Sequence, residues 1–253
     1  MKVCHIIQKN LFIHKILPLL GIFVVAIIFM VVICLQTSIV FSPSTDDSFC
    51  FLNESDNSIS FVECLNFIYE VQLSKVPTVE KWATPIKIRY EGNPTKKDVD
   101  ILNQIVRDFN KINGFPGMRI VDKDENVLLI YAPGEILPEI QNKYDMDKID
   151  KGICRRFSDQ GEIKQAIIVI ESDIDQDYKN SVVLHEIFHM VGFYGHSYDN
   201  TSIINRIEEP VSKLSVLDTL SFRMLYNPEI LIGMEYHEID AYYRDRELDE
   251  FLK

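Results

Sequence analysis

Apolar and polar residues fall into three regimes along the chain. From Ile16 to Phe41 the run is apolar and carries no charge, and a stretch of roughly 20 such residues is what an α-helix needs to cross the hydrocarbon core of a bilayer. Residues 42–81 mix Ser, Asp and Asn with short apolar patches. They predict a stalk or pro-segment with one short helix around Val62–Val71. Periodic patterning begins near Trp82. PIKIRY (Pro85–Tyr90) alternates as a strand does, and Thr95 is placed to cap a helix in which Ile101, Leu102, Ile105, Phe109 and Ile112 share one face, closed by Gly114. MRIVD and NVLLIYA read as two further strands, residues 133–163 as irregular, and AIIVIES (Ala166–Ser172) as a buried strand. Strand, helix, several strands and a second helix within one segment predict an α+β domain, its helices on one face of a mixed sheet.

The flanks of the apolar run orient it. Its N-terminal side carries only the basic residues Lys2, Lys9 and Lys15, and Asp46 and Asp47 follow on the other side. The positive-inside rule places the N-terminus in the cytoplasm and the remainder outside. The run exceeds the 7–15 residues of a signal h-region, which favours an uncleaved anchor over a cleaved signal that would release a secreted protein. The expected divisions are a cytoplasmic tail (1–16), a transmembrane signal-anchor (17–41), the stalk or pro-segment (42–81), the folded domain (82–232) and an acidic C-terminal tail (233–253).

Charge narrows the partners. All 38 acidic residues and 23 of the 26 basic ones lie beyond residue 41, a net charge of −15 outside the membrane. Nucleic acids and anionic lipids need a basic footprint, so neither is an expected ligand. Among the exported cysteines, Cys50 and Cys64 can pair with Cys154 left free, and none has metal-knuckle spacing.

The chemistry is concentrated in SVVLHEIFHMVGFYGHSYDN. His185, Glu186 and His189 form H-E-x-x-H. An i, i+4 pair on a helix points both imidazoles the same way, as two ligands of one tetrahedral zinc require. Glu186 projects beside them, where it can take a proton from a water on the metal. Three of the four exported histidines, His185, His189 and His196, fall within twelve residues. A lone helical histidine is usually structural, whereas three around a glutamate make a ligand set. Tyr194 and Tyr198 lie close by in sequence, and His237 is a more distant alternative.

This stretch resembles the metzincin signature H-E-x-x-H-x-x-G-x-x-H of matrixins and their relatives. Gly192 falls on the family glycine, HSYDNTSII resembles the run that leads to the Met-turn, and LSVLDTLSFRMLYN (Leu214–Asn227) resembles the closing helix. A similar layout occurs in bacterial exported zincin-like proteins. The resemblance implies a zincin-like domain with an active-site helix, a Zn2+ cofactor on His185, His189 and His196, Glu186 as general base, and hydrolysis of peptide or protein substrates at the membrane surface. Two departures stand out. His196 comes one residue late, and Ile204 occupies the place of the Met-turn methionine. They leave Asp199, Glu208 and Glu209 as rival third ligands. They also leave a catalytically silent zincin-like binding module as the alternative function.

Overall fold

The computed structural model describes residues 59–205 and 211–244. The apolar run 17–41, Cys50, Glu208, Glu209 and residues 245–253 lie outside them. No helix among the described residues is long and apolar enough to cross a membrane.

The chain is α+β, built on a five-stranded sheet of order β2-β1-β3-β5-β4. Its strands are β1 (Ile86–Gly92), β2 (Met118–Ile120), β3 (Val127–Ala132), β4 (Gly152–Asp159) and β5 (Glu162–Glu171). β1 pairs in parallel with β2 and β3, β3 in parallel with β5, and β4 lies antiparallel to β5 at the sheet's end. The sheet is therefore mixed. The helices are α1 (Phe61–Ile68), α2 (Lys96–Phe109), α3 (Leu137–Tyr144), α4 (Gln176–Met190), α5 (Val216–Tyr226) and α6 (Tyr236–Arg244). Alternation along the strands explains the layering. Ile86, Ile88, Val127, Leu129, Ile168 and Ile170 face the main core with α1, α2, α4 and α5, while Ile130, Ala132 and Val169 meet Leu137, Met146 and Ile149 on the opposite face.

The amphipathic α2 starts at the expected cap: Thr95 and Asp98 form a reciprocal capping box. It ends at Phe109, earlier than expected. Gly114 serves a later turn at φ +79°, where a Cβ would lie 2.0 Å from the Tyr226 carbonyl oxygen.

Two segments differ from their sequence reading. Residues 133–163 are not irregular: they form α3 and the edge strand β4. β4 (GICRRFSD) is half exposed along its length, and the adjacent Arg155 and Arg156 break the alternation that marks a strand. Residues 59–81 do not form a stalk. α1 is capped by Ser60 and Glu63, continues into a π-helical turn (Tyr69–Leu73), and buries Leu65, Phe67, Ile68 and Val71 against α5 and the loop after α4. Trp82 is buried, and its indole Nε1 donates to the Met190 carbonyl at 2.9 Å. The folded unit thus starts before the expected boundary at residue 82. At the other end, α6 packs Ile239 and Tyr243 into the core inside what reads as an acidic tail. Cys64 is a free thiol in the core.

Candidate metal centre

α4 carries the motif and is fixed at both ends. Asp175 caps its start by accepting from the Asp177 and Tyr178 amides at 3.0 and 3.2 Å. At the other end three consecutive carbonyls each accept from a side chain: Arg156 donates to His189, which also accepts from the Gly192 amide, Trp82 to Met190 and Tyr226 to Val191. Between these ends Leu184, Ile187 and Phe188 are buried, which turns His185, Glu186 and His189 along one side of the helix.

Gly192 lets the chain leave α4. It sits at φ +123°, and a Cβ there would stand 2.9 Å from the Glu80 carbonyl oxygen, so both conformation and space require glycine. The loop that follows is held by the π-helical turn. Gln72 Nε2 donates to the carbonyls of Gly192 and Glu80 at 2.7 Å each. The Gly195 amide donates to the Val71 carbonyl at 2.6 Å, and the Glu70 carboxylate accepts from Ser197 Oγ and the Tyr198 amide at 3.2 Å each. A Cβ on Gly195 would press on Val71 Cα at 3.2 Å. The extra residue before His196 is therefore accommodated by a glycine lying flat against another segment.

This path brings His196 to the other two histidines. Ligand-capable atoms of His185, His189 and His196 all lie within 4.8 Å of one another. The two helical imidazoles are closer still, with Nε2 atoms 3.0 Å apart. Their other nitrogens fix the tautomers. His185 Nδ1 donates to the Ile203 carbonyl at 2.7 Å, and His189 Nδ1 donates to the Phe193 carbonyl. A carbonyl only accepts, so each Nδ1 carries the hydrogen and each Nε2 presents a lone pair.

The Ile203 carbonyl is itself held in place. Asp218, buried in the first turn of α5, accepts from Ser202 Oγ at 2.6 Å, the Ile203 amide at 2.9 Å and the Ser215 amide at 2.8 Å. Burial pushes its carboxyl up to about 6 against those hydrogen bonds. Ile204 is fully buried, and its carbonyl accepts from the Ser197 amide at 2.8 Å.

His189 and Glu186 are buried, whereas His196 is exposed at the cleft. Burial lowers His185 to about 4, with the charge of His196 adding to it, and holds His189 well below its usual range. Burial also pushes Glu186 up to about 8, opposed by the nearby positive charge of Arg156. Both histidines are therefore neutral at physiological pH, the form that binds metal.

A cleft of about 810 Å³ opens onto all three histidines and Glu186. β4 supplies its other wall through Gly152, Cys154 and Arg156. Gly152 abuts Glu186: a Cβ there would lie 2.9 Å from Glu186 Cγ and Oε1. This wall was invisible in the sequence, because β4 itself was.

The rival residues fall elsewhere. Asp199 accepts from the Thr201 amide and Oγ1 at 2.8 Å each, a local turn, and does not belong to the histidine cluster. His237 lies on α6, exposed beside Glu235 at 3.2 Å. Tyr198 is 75% exposed, and Tyr194 lines the cleft while donating to Glu80.

Residues 57–245 match the family model described as "Protein of unknown function (DUF2927)", and the chain belongs to that family. Among curated proteins it is similar to one from rice, Oryza sativa subsp. japonica, at 24% identity over 191 residues, which cover 72% of this chain and 34% of that protein. The chain thus spans about a third of the length of that relative.

Proposed function

We propose that the protein is a metzincin-like zinc metallopeptidase, with His185, His189 and His196 as zinc ligands and Glu186 as general base. One observation carries the reading. Both helical histidines donate their Nδ1 hydrogens to carbonyls, so two Nε2 lone pairs face each other 3.0 Å apart. That arrangement is repulsive without a cation between them. Two imidazoles on a tetrahedral zinc at about 2.0–2.1 Å would place their nitrogens about 3.3–3.4 Å apart, close to what is seen. The mixed sheet, with α4 packed on β4 and β5, accords with a zincin-like domain.

Zinc held there supplies Lewis acidity, acidifying a water and stabilising negative charge on a carbonyl oxygen. The remaining steps belong to the chain's own side chains. Glu186 takes a proton from the attacking water and passes it to the departing amine, and the burial that raises its proton affinity suits it to both halves of that transfer. β4 is the terminal strand of the sheet, so its outer row of backbone groups can pair with an extended peptide and lay it along the cleft. The 17–41 run supports attachment to a membrane with the domain, and its peptide or protein substrates, on the outer side.

The test uses the full-length chain purified in detergent. Zinc near one equivalent, peptide cleavage by the wild type, and no cleavage with retained zinc in Glu186→Gln are the expected results. A protein that binds no zinc sinks the reading. One that binds zinc in this site and cleaves nothing is a metal-binding module instead.

A further inference from the structure

Arg156 differs from the other cations of the cleft. Lys75 and Lys148 extend into solvent, and Lys151 is paired with Glu171 at 3.1 Å. Arg156 makes no ion pair among the described residues, and its Nε is buried with no hydrogen-bond partner. One terminal nitrogen donates to the His189 carbonyl, and the guanidinium covers the Tyr194 ring 3.3 Å from its centroid. The acidic groups whose fields reach it are Glu80 and Glu186. Glu80 already accepts from Tyr194 Oη and from Ser158 Oγ, and Glu186 is the proposed base.

A guanidinium fork buried without a carboxylate is costly, because its hydration is lost and nothing of opposite charge replaces it. The fork is also built for two-point recognition of a carboxylate. Here it is held from behind by a helix-end carbonyl and from one side by an aromatic face, while the side chain lines the cleft.

We infer that Arg156 recognises a carboxylate of the substrate, either an acidic side chain or a free C-terminus, seated in the cleft on the β4 side of the histidine cluster. The inference rests on the proposed peptidase function for the nature of its ligand. The strand sets a register. Gly152, which abuts Glu186, and Arg156 lie on the same face of β4, four residues apart, and so roughly 13 Å apart along the strand. A peptide paired with β4 therefore offers its carboxylate within about four residues of the bond beside Glu186, and on one side of it only.

Binding measured without turnover tests this. Full-length Glu186→Gln protein is titrated with fluorescein-labelled, C-terminally amidated ten-residue Gly/Ala peptides in which one Glu is stepped along the sequence. Each has a twin carrying Gln at the same position, and one uncharged peptide is made with both a free and an amidated C-terminus. At one register the Glu peptide should bind about ten-fold or more tighter than its Gln twin, the scale of one charge-assisted hydrogen bond. A gap between free and amidated termini would instead identify the terminal carboxylate as the group recognised. Adding Arg156→Met should abolish the gap and leave the Gln peptide's affinity unchanged. Equal binding of every Glu/Gln pair and of both termini would overturn the inference, whether or not the arginine variant folds. So would a gap that survives Arg156→Met. A gap that vanishes with Arg156→Met, in a protein whose wild type cleaves none of these peptides, keeps the carboxylate site and removes only the peptidase reading.

Discussion

His185 and His189 reach the centre by one route and His196 by another. The helical pair needs only the 3.6-residue period of α4 and two carbonyls to set the rings. His196 needs Gly192 to break out of the helix, Gly195 to lie against Val71, and Glu70, Val71 and Gln72 to hold the loop from outside. The first route is local, while the second borrows a segment about 120 residues earlier in the chain. The candidate centre is therefore part helix and part tertiary structure, and the two parts should fail differently.

The largest effect separates ligands from their supports. His185→Ala, His189→Ala and His196→Ala should each weaken zinc binding on the order of 10³-fold, past the 10–100-fold of a supporting residue. Asp199→Ala should stay within that lower range, as competition with a chromophoric chelator would record. Normal zinc affinity in His196→Ala would leave the centre to the helix alone.

Next in size is a pH effect confined to the helical half. In metal-free protein the Glu186 carboxyl is raised from 4.5 to about 8 by burial. The folded state then holds this proton over a window in which the unfolded chain has released it, so Glu186 subtracts stability as pH rises from 4.5 to 8. Glu186→Gln should therefore stabilise the metal-free protein by an amount on the order of 5 kcal/mol above pH 8, shrinking to nothing below 4.5. Denaturant melts across that range in a chelator measure it, and a pH-independent difference would contradict the buried charge.

The smallest effect probes the borrowed half. Glu70→Gln keeps the shape of the anchor and removes its charge, which should cost zinc affinity up to about ten-fold while leaving helix content intact. Loss of helical circular dichroism would mean that the turn supports α4 itself as well as the loop.

The contrast also explains how far the sequence could be read. The H-E-x-x-H pair, the Gly192 exit, the Thr95 cap and the central strands are local signals, set by period, cap and turn chemistry, and each lies where its residues predict. The helix α1 was legible near Val62–Val71, but its place in the core and the strand β4 were not. α1 sits in a Ser- and Asn-rich neighbourhood that reads as a stalk, and its apolar residues find their role only once α5 and the α4 loop cover them. β4 is an edge strand, and its consecutive polar residues Arg155-Arg156 and Ser158-Asp159 read as a loop until β5 supplies the pairing. Asp218 falls in the Leu214–Asn227 segment that reads as a closing helix. Its link to the His185 ring through the Ile203 carbonyl was not legible, because it passes through a turn 15 residues away.

The hydrogen bonds that cross from the π-helical turn and Lys81 to the far end of the chain have a consequence in time. Gln72 meets Gly192 across 120 residues, and Lys81 reaches the Leu225 and Asn227 carbonyls across 144 and 146. Contacts so distant in sequence form slowly, since a long loop must close before any of them rewards it. During synthesis α4 can offer two imidazoles as soon as it emerges, whereas the third waits until α5 has left the ribosome and the early segment has folded back onto it. On the proposed reading, the nascent chain passes through a stage with an incomplete metal site, and tight metal capture follows the closure of these long loops.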